Sequence, residues 1–269
     1  MADLWIAVVL GIVEGVTEFL PVSSTGHLIV AGHLLDFSGP RAASFEVFIQ
    51  MGAILAVVVL YWRRFVDLVP TKGISWDTYN GFSGIKGLTL LFLTTVPALA
   101  IGAVAHGAIK QYLFSPATVA FALAVGAVGM LLAERFRPPA AVTDLDALGF
   151  GQAFLIGLFQ CLAMWPGMSR SASTIIGGMV SGLDRKTAAE YSFLAAVPVM
   201  VAATSYDLYK AWGLLQATDL LFFLVGFLVS FVSAALAVKT FIAAVQRWSL
   251  APYAWYRLAI APIIYFTMS

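Results

Sequence analysis

The chain has 269 residues, 61% of them hydrophobic and 11% charged, with a net charge of +1 and a mean hydropathy of +0.93. A soluble domain averages about 25% charged residues, so this composition specifies an integral membrane protein, and a balanced charge with no basic tail gives nucleic acid no footing. One cysteine, Cys161, excludes an intramolecular disulfide and is expected to pack as a small buried hydrophobe.

The N-terminal stretch MADLWIAVVLGIVEG carries Asp3 and no basic segment, unlike a cleaved signal peptide. From Leu4 to Asp36 the chain is apolar but broken by Glu14, Glu18, Pro21 and the run Ser23, Ser24, Thr25, Gly26. A spanning helix needs roughly 20 mostly apolar residues. Val47–Trp62, Gly87–Ala105 and Gln111–Ala133 are candidate spans. Gly149–Leu183 is again apolar but broken, by PGMSRSAST. Tyr191–Tyr206, Leu220–Val238 and Pro252–Met268, the last interrupted by Arg257, bring the candidate spans to six. Non-helical backbone at membrane depth survives only inside protein or around a water-filled cavity. The two broken segments therefore read as re-entrant helical hairpins with polar tips.

The two halves resemble each other. Gly11-x-x-Glu14 matches Gly157-x-x-Gln160, and RAASFE ending at Glu46 matches RKTAAE ending at Glu190, at offsets of 146 and 144 residues. The expected architecture is a single all-α polytopic membrane domain, 1–269. It holds about six transmembrane helices, two re-entrant hairpins and an inverted-topology repeat, with copies at about 1–135 and 147–269. Three spans per copy invert the second one, and such repeats place a site near the midplane. The inferred loops on one side carry ten basic residues (Arg63, Arg64, Lys72, Lys86, Arg135, Arg137, Arg185, Lys186, Lys239, Arg247), against Arg41, Lys110 and Lys210 on the other. The positive-inside rule makes the richer side cytoplasmic and both termini external. Glu46 and Glu190 are expected to stabilise the first turns of the helices they begin.

Glu14 and Glu18 are four residues apart, hence on one helix face. Charge at the bilayer centre costs at least about 2.5–3.5 kcal/mol and marks function. The pair suits a divalent metal, a general base, or both. Ser23, Ser24 and Thr25 lie where the second half-helix begins, so they cap it and face an anion-seeking N-terminus. His27 follows one turn later, expected on the face of Ser23 and Ser24. In the second hairpin Ser169, Ser171 and Ser173 surround Arg170. A buried arginine demands an anion: Glu14 or Glu18 from the other hairpin, or a phosphate gripped by the guanidinium fork. Both can hold, in empty and loaded states. The convergence suits a phosphate carried on a lipid.

EGVTEFLPVSSTGH and PGMSRSAST resemble the two signature segments of the bacterial undecaprenyl-diphosphate phosphatase family, the bacitracin-resistance type. The likeness runs through FEVFIQMGAILAVVVLYWRR and YRLAIAPIIY, essentially the whole chain. One departure is Ala172, where the family usually has Gly, expected to tighten the tip. The resemblance implies removal of the terminal phosphate of undecaprenyl diphosphate at the outer face of the inner membrane. That recycles the carrier for peptidoglycan synthesis and opposes bacitracin. It also implies a divalent cation, Mg2+ or Ca2+, and a homodimer is compatible with it. A mechanism drafted from these parts makes Ser24 the nucleophile, Glu18 its base, and Arg170 with the hairpin N–H groups the stabilisers of phosphoryl charge. Glu14 and Glu18 hold the metal, or Glu14 orients Glu18; Ser23, Thr25, Ser169 and Ser171 bind phosphate. His27 is acid, base or orienter of the serine, and attack by His27 or by metal-activated water stays open. The rival expectation is a lipid-phosphate flippase, because inverted repeats with broken helices are a transporter architecture. A purely structural membrane subunit is disfavoured by the polar cluster.

Overall fold

A computed structural model describes residues 4–71, 81–113, 115–211 and 219–268. Lys72 of the charge tally lies outside them. Eleven α-helices occur among the described residues: α1 Leu4–Thr17, α2 Ser24–Leu34, α3 Pro40–Leu60, α4 Trp62–Asp67, α5 Gly84–Tyr112, α6 Pro116–Phe136, α7 Phe150–Leu162, α8 Arg170–Val180, α9 Arg185–Ala211, α10 Leu220–Val245 and α11 Ala251–Met268. Five of them (α3, α5, α6, α9, α10) contain a stretch long and apolar enough to cross a membrane. The sixth expected span, α11, forms as an 18-residue helix but falls short on apolarity. Arg257 contributes to the shortfall, although it faces inward and is fully buried.

Helix ends overrun the uncharged stretches. Gln111 closes α5 instead of opening the next span, which starts at Pro116 behind Ser115. Ser115 caps that start with a reciprocal Thr118 bond, and proline suits the first turn, where its missing N–H costs nothing. Glu46 and Glu190 fall beyond the first turns of α3 and α9, which hold no acid. The α9 start is capped by Asp184, which accepts from the Thr187 amide at 2.7 Å. Cys161 is half-buried rather than buried.

Both broken segments are helix–break–helix hairpins, α1/α2 and α7/α8. Packing pairs them across the halves: α1 lies on α10, α7 on α5, α3 on α9 and α6 on α11. Small residues make the hairpin contacts close. A Cβ on Gly11 would sit 2.7 Å from the Gly226 carbonyl oxygen, and one on Gly157 2.7 Å from that of Leu93. Interhelical hydrogen bonds add to this: Ser233 Oγ donates to Gly11 O at 3.2 Å, and Thr94 Oγ1 to Ala153 O at 2.9 Å. Each hairpin is thereby held by a long helix of the other half, and the two tips meet inside the bundle. There Ser171 Oγ donates to the Leu20 carbonyl at 2.8 Å.

Candidate active site

The tips are built alike. Ser23 (φ 75°) and Ser169 (φ 72°) are the N-caps of α2 and α8. Each accepts a hydrogen bond on its side chain from the amide three residues on, Gly26 N at 3.4 Å and Ala172 N at 3.2 Å. A positive φ at a residue with a Cβ costs of order 1–3 kcal/mol and persists only where the surroundings over-determine it. The return is a sharp turn that aims two half-helix N-termini, with first-turn N–H groups lacking intrahelical acceptors, at one place. Ala172 lies inside α8 with its methyl buried in the core, where a helical residue needs no glycine.

Glu18 joins the tips. Its Oε2 accepts from Ser24 Oγ at 2.6 Å, and its Oε1 pairs with Arg170 Nη2 at 2.9 Å. Arg170 also donates to Ser192 O at 3.1 Å and Met200 Sδ at 3.4 Å, with its guanidinium carbon 5.4 Å from the centre of the Phe19 ring. With side chains only 12% and 7% exposed, arginine and glutamate form a desolvated pair. They border a cavity of about 600 Å³. Ser23, Ser24, Thr25, Gln160 and Ser169 line its polar end, and Ala98, Leu99, Val199 and Met200 belong to its apolar wall. Such a space takes a charged head with a greasy tail.

Glu18, Ser23, Ser24, Thr25, Ser169 and Arg170 all reach this cavity. Ser171 is fully buried and bonded to Leu20 O. Ser173 bonds back to Ser169 O at 2.9 Å. His27 turns away from the expected face: Nδ1 meets Ser23 O at 2.7 Å, and Nε2 meets the Tyr256 hydroxyl at 2.6 Å. Glu14 is buried, its Oε1 has no hydrogen-bond partner, and its carbonyl accepts from the Glu18 amide at 2.9 Å. A buried orphan carboxylate oxygen one turn from a second carboxylate fits a hard cation. Mg2+ in particular takes one or two protein carboxylates and completes its shell with phosphate and water oxygens. Among the described residues no cluster of three His, Cys, Asp or Glu exists, so a cation at Glu14 and Glu18 would draw the rest of its shell from phosphate and water oxygens; Asp207 is a further acid on the cavity lining. Ser192 and Met200 beside Arg170, and Gln50 in the cavity wall, escaped sequence reading. A lone glutamine in an apolar helix was the only signal for Gln50.

An all-helical membrane fold with a serine, its carboxylate partner and an arginine beside a part-apolar cavity defines a class: membrane proteins that handle a phosphoryl group on a lipid. The chain matches the family described as "Bacitracin resistance protein BacA" over residues 7–263. It is 58% identical over 269 residues to the undecaprenyl-diphosphatase of Nitratidesulfovibrio vulgaris (strain DP4), covering 100% of both chains. It is 57% identical to that of Maridesulfovibrio salexigens over 270 residues, again 100% of both. To that of Oleidesulfovibrio alaskensis it is 54% identical over 265 residues, 98% of each. The chain belongs to the BacA family of bacitracin resistance proteins.

Proposed function

We propose that this protein hydrolyses undecaprenyl diphosphate to undecaprenyl phosphate and inorganic phosphate. The observation that carries the reading is the 2.6 Å hydrogen bond from Ser24 to Glu18 at the polar end of the cavity, with Arg170 on the other oxygen of the same carboxylate. Glu18 takes the Ser24 proton as Oγ attacks the terminal phosphorus. The bond to the bridging oxygen breaks and undecaprenyl phosphate leaves; water then releases phosphate from the serine. On loading, Arg170 exchanges Glu18 for phosphoryl oxygens, which frees the carboxylate to act as base and offers the fork where charge builds. The N-termini of α2 and α8 add partial positive charge. A divalent cation, Mg2+ or Ca2+, held by Glu14 and Glu18, would neutralise diphosphate charge. Both nitrogens of His27 are engaged away from the cavity, which supports an orienting role over nucleophilic attack. The relatives are named for hydrolysis, and no observation favours transport.

The site opens to the periplasmic side of the inner membrane in this reading. Lys86, and Arg185 with Lys186, lie in the first turns of α5 and α9 on the side with the larger share of basic residues, Lys110 and Lys210 lie near the opposite ends, and the cavity is lined by residues between, such as Leu99, Ala103, Met200 and Ala203. At 1.5 Å per residue, Ala103 is about 25 Å from Lys86 along the axis. Hydrolysis there would recycle the lipid carrier and reduce the bacitracin target. The test is phosphate release from a polyprenyl diphosphate by the purified protein in detergent with Mg2+ or Ca2+. Release with monophosphate lipid as co-product supports the reading; a monodisperse preparation that releases none overturns it.

A further inference from the structure

Two consecutive residues of α11 touch the backs of both hairpin tips, although neither lines the cavity. Arg257 is fully buried. Its Nη2 donates to Gly167 O at 2.9 Å and Met168 O at 3.0 Å, the two carbonyls that precede the Ser169 cap. Further bonds reach Leu123 O at 3.2 Å and Ala122 O at 3.4 Å on α6. Gly126 of α6 leaves the room, since a Cβ there would collide with the guanidinium. Among the described residues the partners of this arginine are carbonyls and the Met130 sulfur rather than a carboxylate. A buried cation committed to backbone oxygens is expensive as a mere packing element. Four acceptors around one planar group suit a fork that fixes the chain it grips.

Tyr256 does the corresponding thing at the other tip. Its hydroxyl lies 2.6 Å from His27 Nε2, and its ring stacks on the imidazole at 5.6 Å and 11°. His27 Nδ1 lies 2.7 Å from Ser23 O. A carbonyl can only accept, so Nδ1 carries the hydrogen. In the neutral ring Nε2 then accepts from the tyrosine. The chain Tyr256–His27–Ser23 ends on the carbonyl of the positive-φ cap, directly before Ser24. Both caps hold a conformation that the chain does not favour by itself, and each has a support from α11 behind it.

We propose that Tyr256 and Arg257 are positioning residues that hold the two hairpin tips in register, the tyrosine through His27 and the arginine through the Gly167 and Met168 carbonyls. The inference rests on the phosphatase reading for its kinetic test but also has a readout independent of turnover. Tyr256→Phe removes one hydroxyl from a residue that is 45% exposed, so the fold is retained. Its kcat should fall about three- to thirtyfold with KM within twofold, because a displacement well under 1 Å costs less than the ~10²-fold of a full 1 Å. The double variant His27→Ala/Tyr256→Phe should be no slower than His27→Ala, since the tyrosine acts only through the histidine. Hydrogen exchange in detergent should rise at residues 18–27 in Tyr256→Phe. It should rise at residues 164–172 in Arg257→Lys, where one ammonium replaces a fork. Tyr256→Phe turnover within twofold of wild type, multiplicative losses in the double variant, or a KM increase that accounts for the loss each overturns the proposal. If Arg257→Lys fails to fold, the Tyr256→Phe exchange pattern decides alone, and unchanged exchange at 18–27 overturns it. Wild-type protein that releases no phosphate sinks the function instead and leaves the exchange arms to judge the support.

Discussion

Replacing Glu18 by Gln separates its two duties. The amide is nearly isosteric, and its oxygen can still accept from Ser24. It cannot take a proton from the serine, and it leaves Arg170 without a counter-charge at 12% side-chain exposure. Breaking a buried pair by removing one partner costs about 3–5 kcal/mol. Arg170 borders the cavity rather than the sealed core, so the expected loss of stability is the lower end, about 3 kcal/mol. General-base removal lowers turnover about 10²–10⁴-fold. The assay is phosphate release at saturating metal, with thermal unfolding in the same detergent. Turnover within tenfold of wild type would refute the base assignment. An unchanged unfolding temperature would refute the claim that Glu18 is the arginine's counter-ion.

Arg170→Lys should restore little of the activity lost in Arg170→Ala, because a lysine cannot reproduce the planar fork; recovery to within a few-fold would reduce Arg170 to a counter-ion. Chelation by EDTA should stop phosphate release and added Mg2+ or Ca2+ restore it, while Glu14→Ala should raise the metal concentration needed; full activity in EDTA would remove the cation from the account. Gly157→Ala should destabilise by about 1–3 kcal/mol through overpacking, because its Cβ would press on the Leu93 and Thr94 carbonyls at 2.7 and 2.8 Å. Gly151→Ala, with nothing within 4 Å, should not. Equal unfolding temperatures for the two variants would contradict the close α5–α7 contact.

The hairpins were legible because polar residues and proline interrupt apolar runs at Glu14–Gly26 and Pro166–Ser173, and membrane physics leaves few uses for such breaks. Convergence of Glu18, Ser24 and Arg170 was legible as a demand for charge balance. Period and spacing could not say which neighbour a face meets. His27 shares a half-helix with Ser24, yet α11 offers it Tyr256, and the ring turns there. Ser171 was expected to bind phosphate and instead ties the tips together through Leu20 O. Glu46 and Glu190 look like starts because they end a polar stretch, whereas the helices begin a turn or more earlier at Pro40 and Arg185. Arg257 lowers the hydropathy of α11, and nothing local reveals that four carbonyls from α6 and the second tip await it.

The central claim is that Ser24 attacks the phosphorus with Glu18 as its base, and the direct measurement is phosphate release by Ser24→Ala. Removal of one hydroxyl from a cavity-lining residue leaves the Glu18–Arg170 pair and the fold in place. The account predicts a fall of about 10³-fold or more, the order seen when an attacking group is removed from a site that acts as a unit, with unfolding temperature unchanged. Release within tenfold of wild type from folded Ser24→Ala protein would contradict it and assign the attack to water.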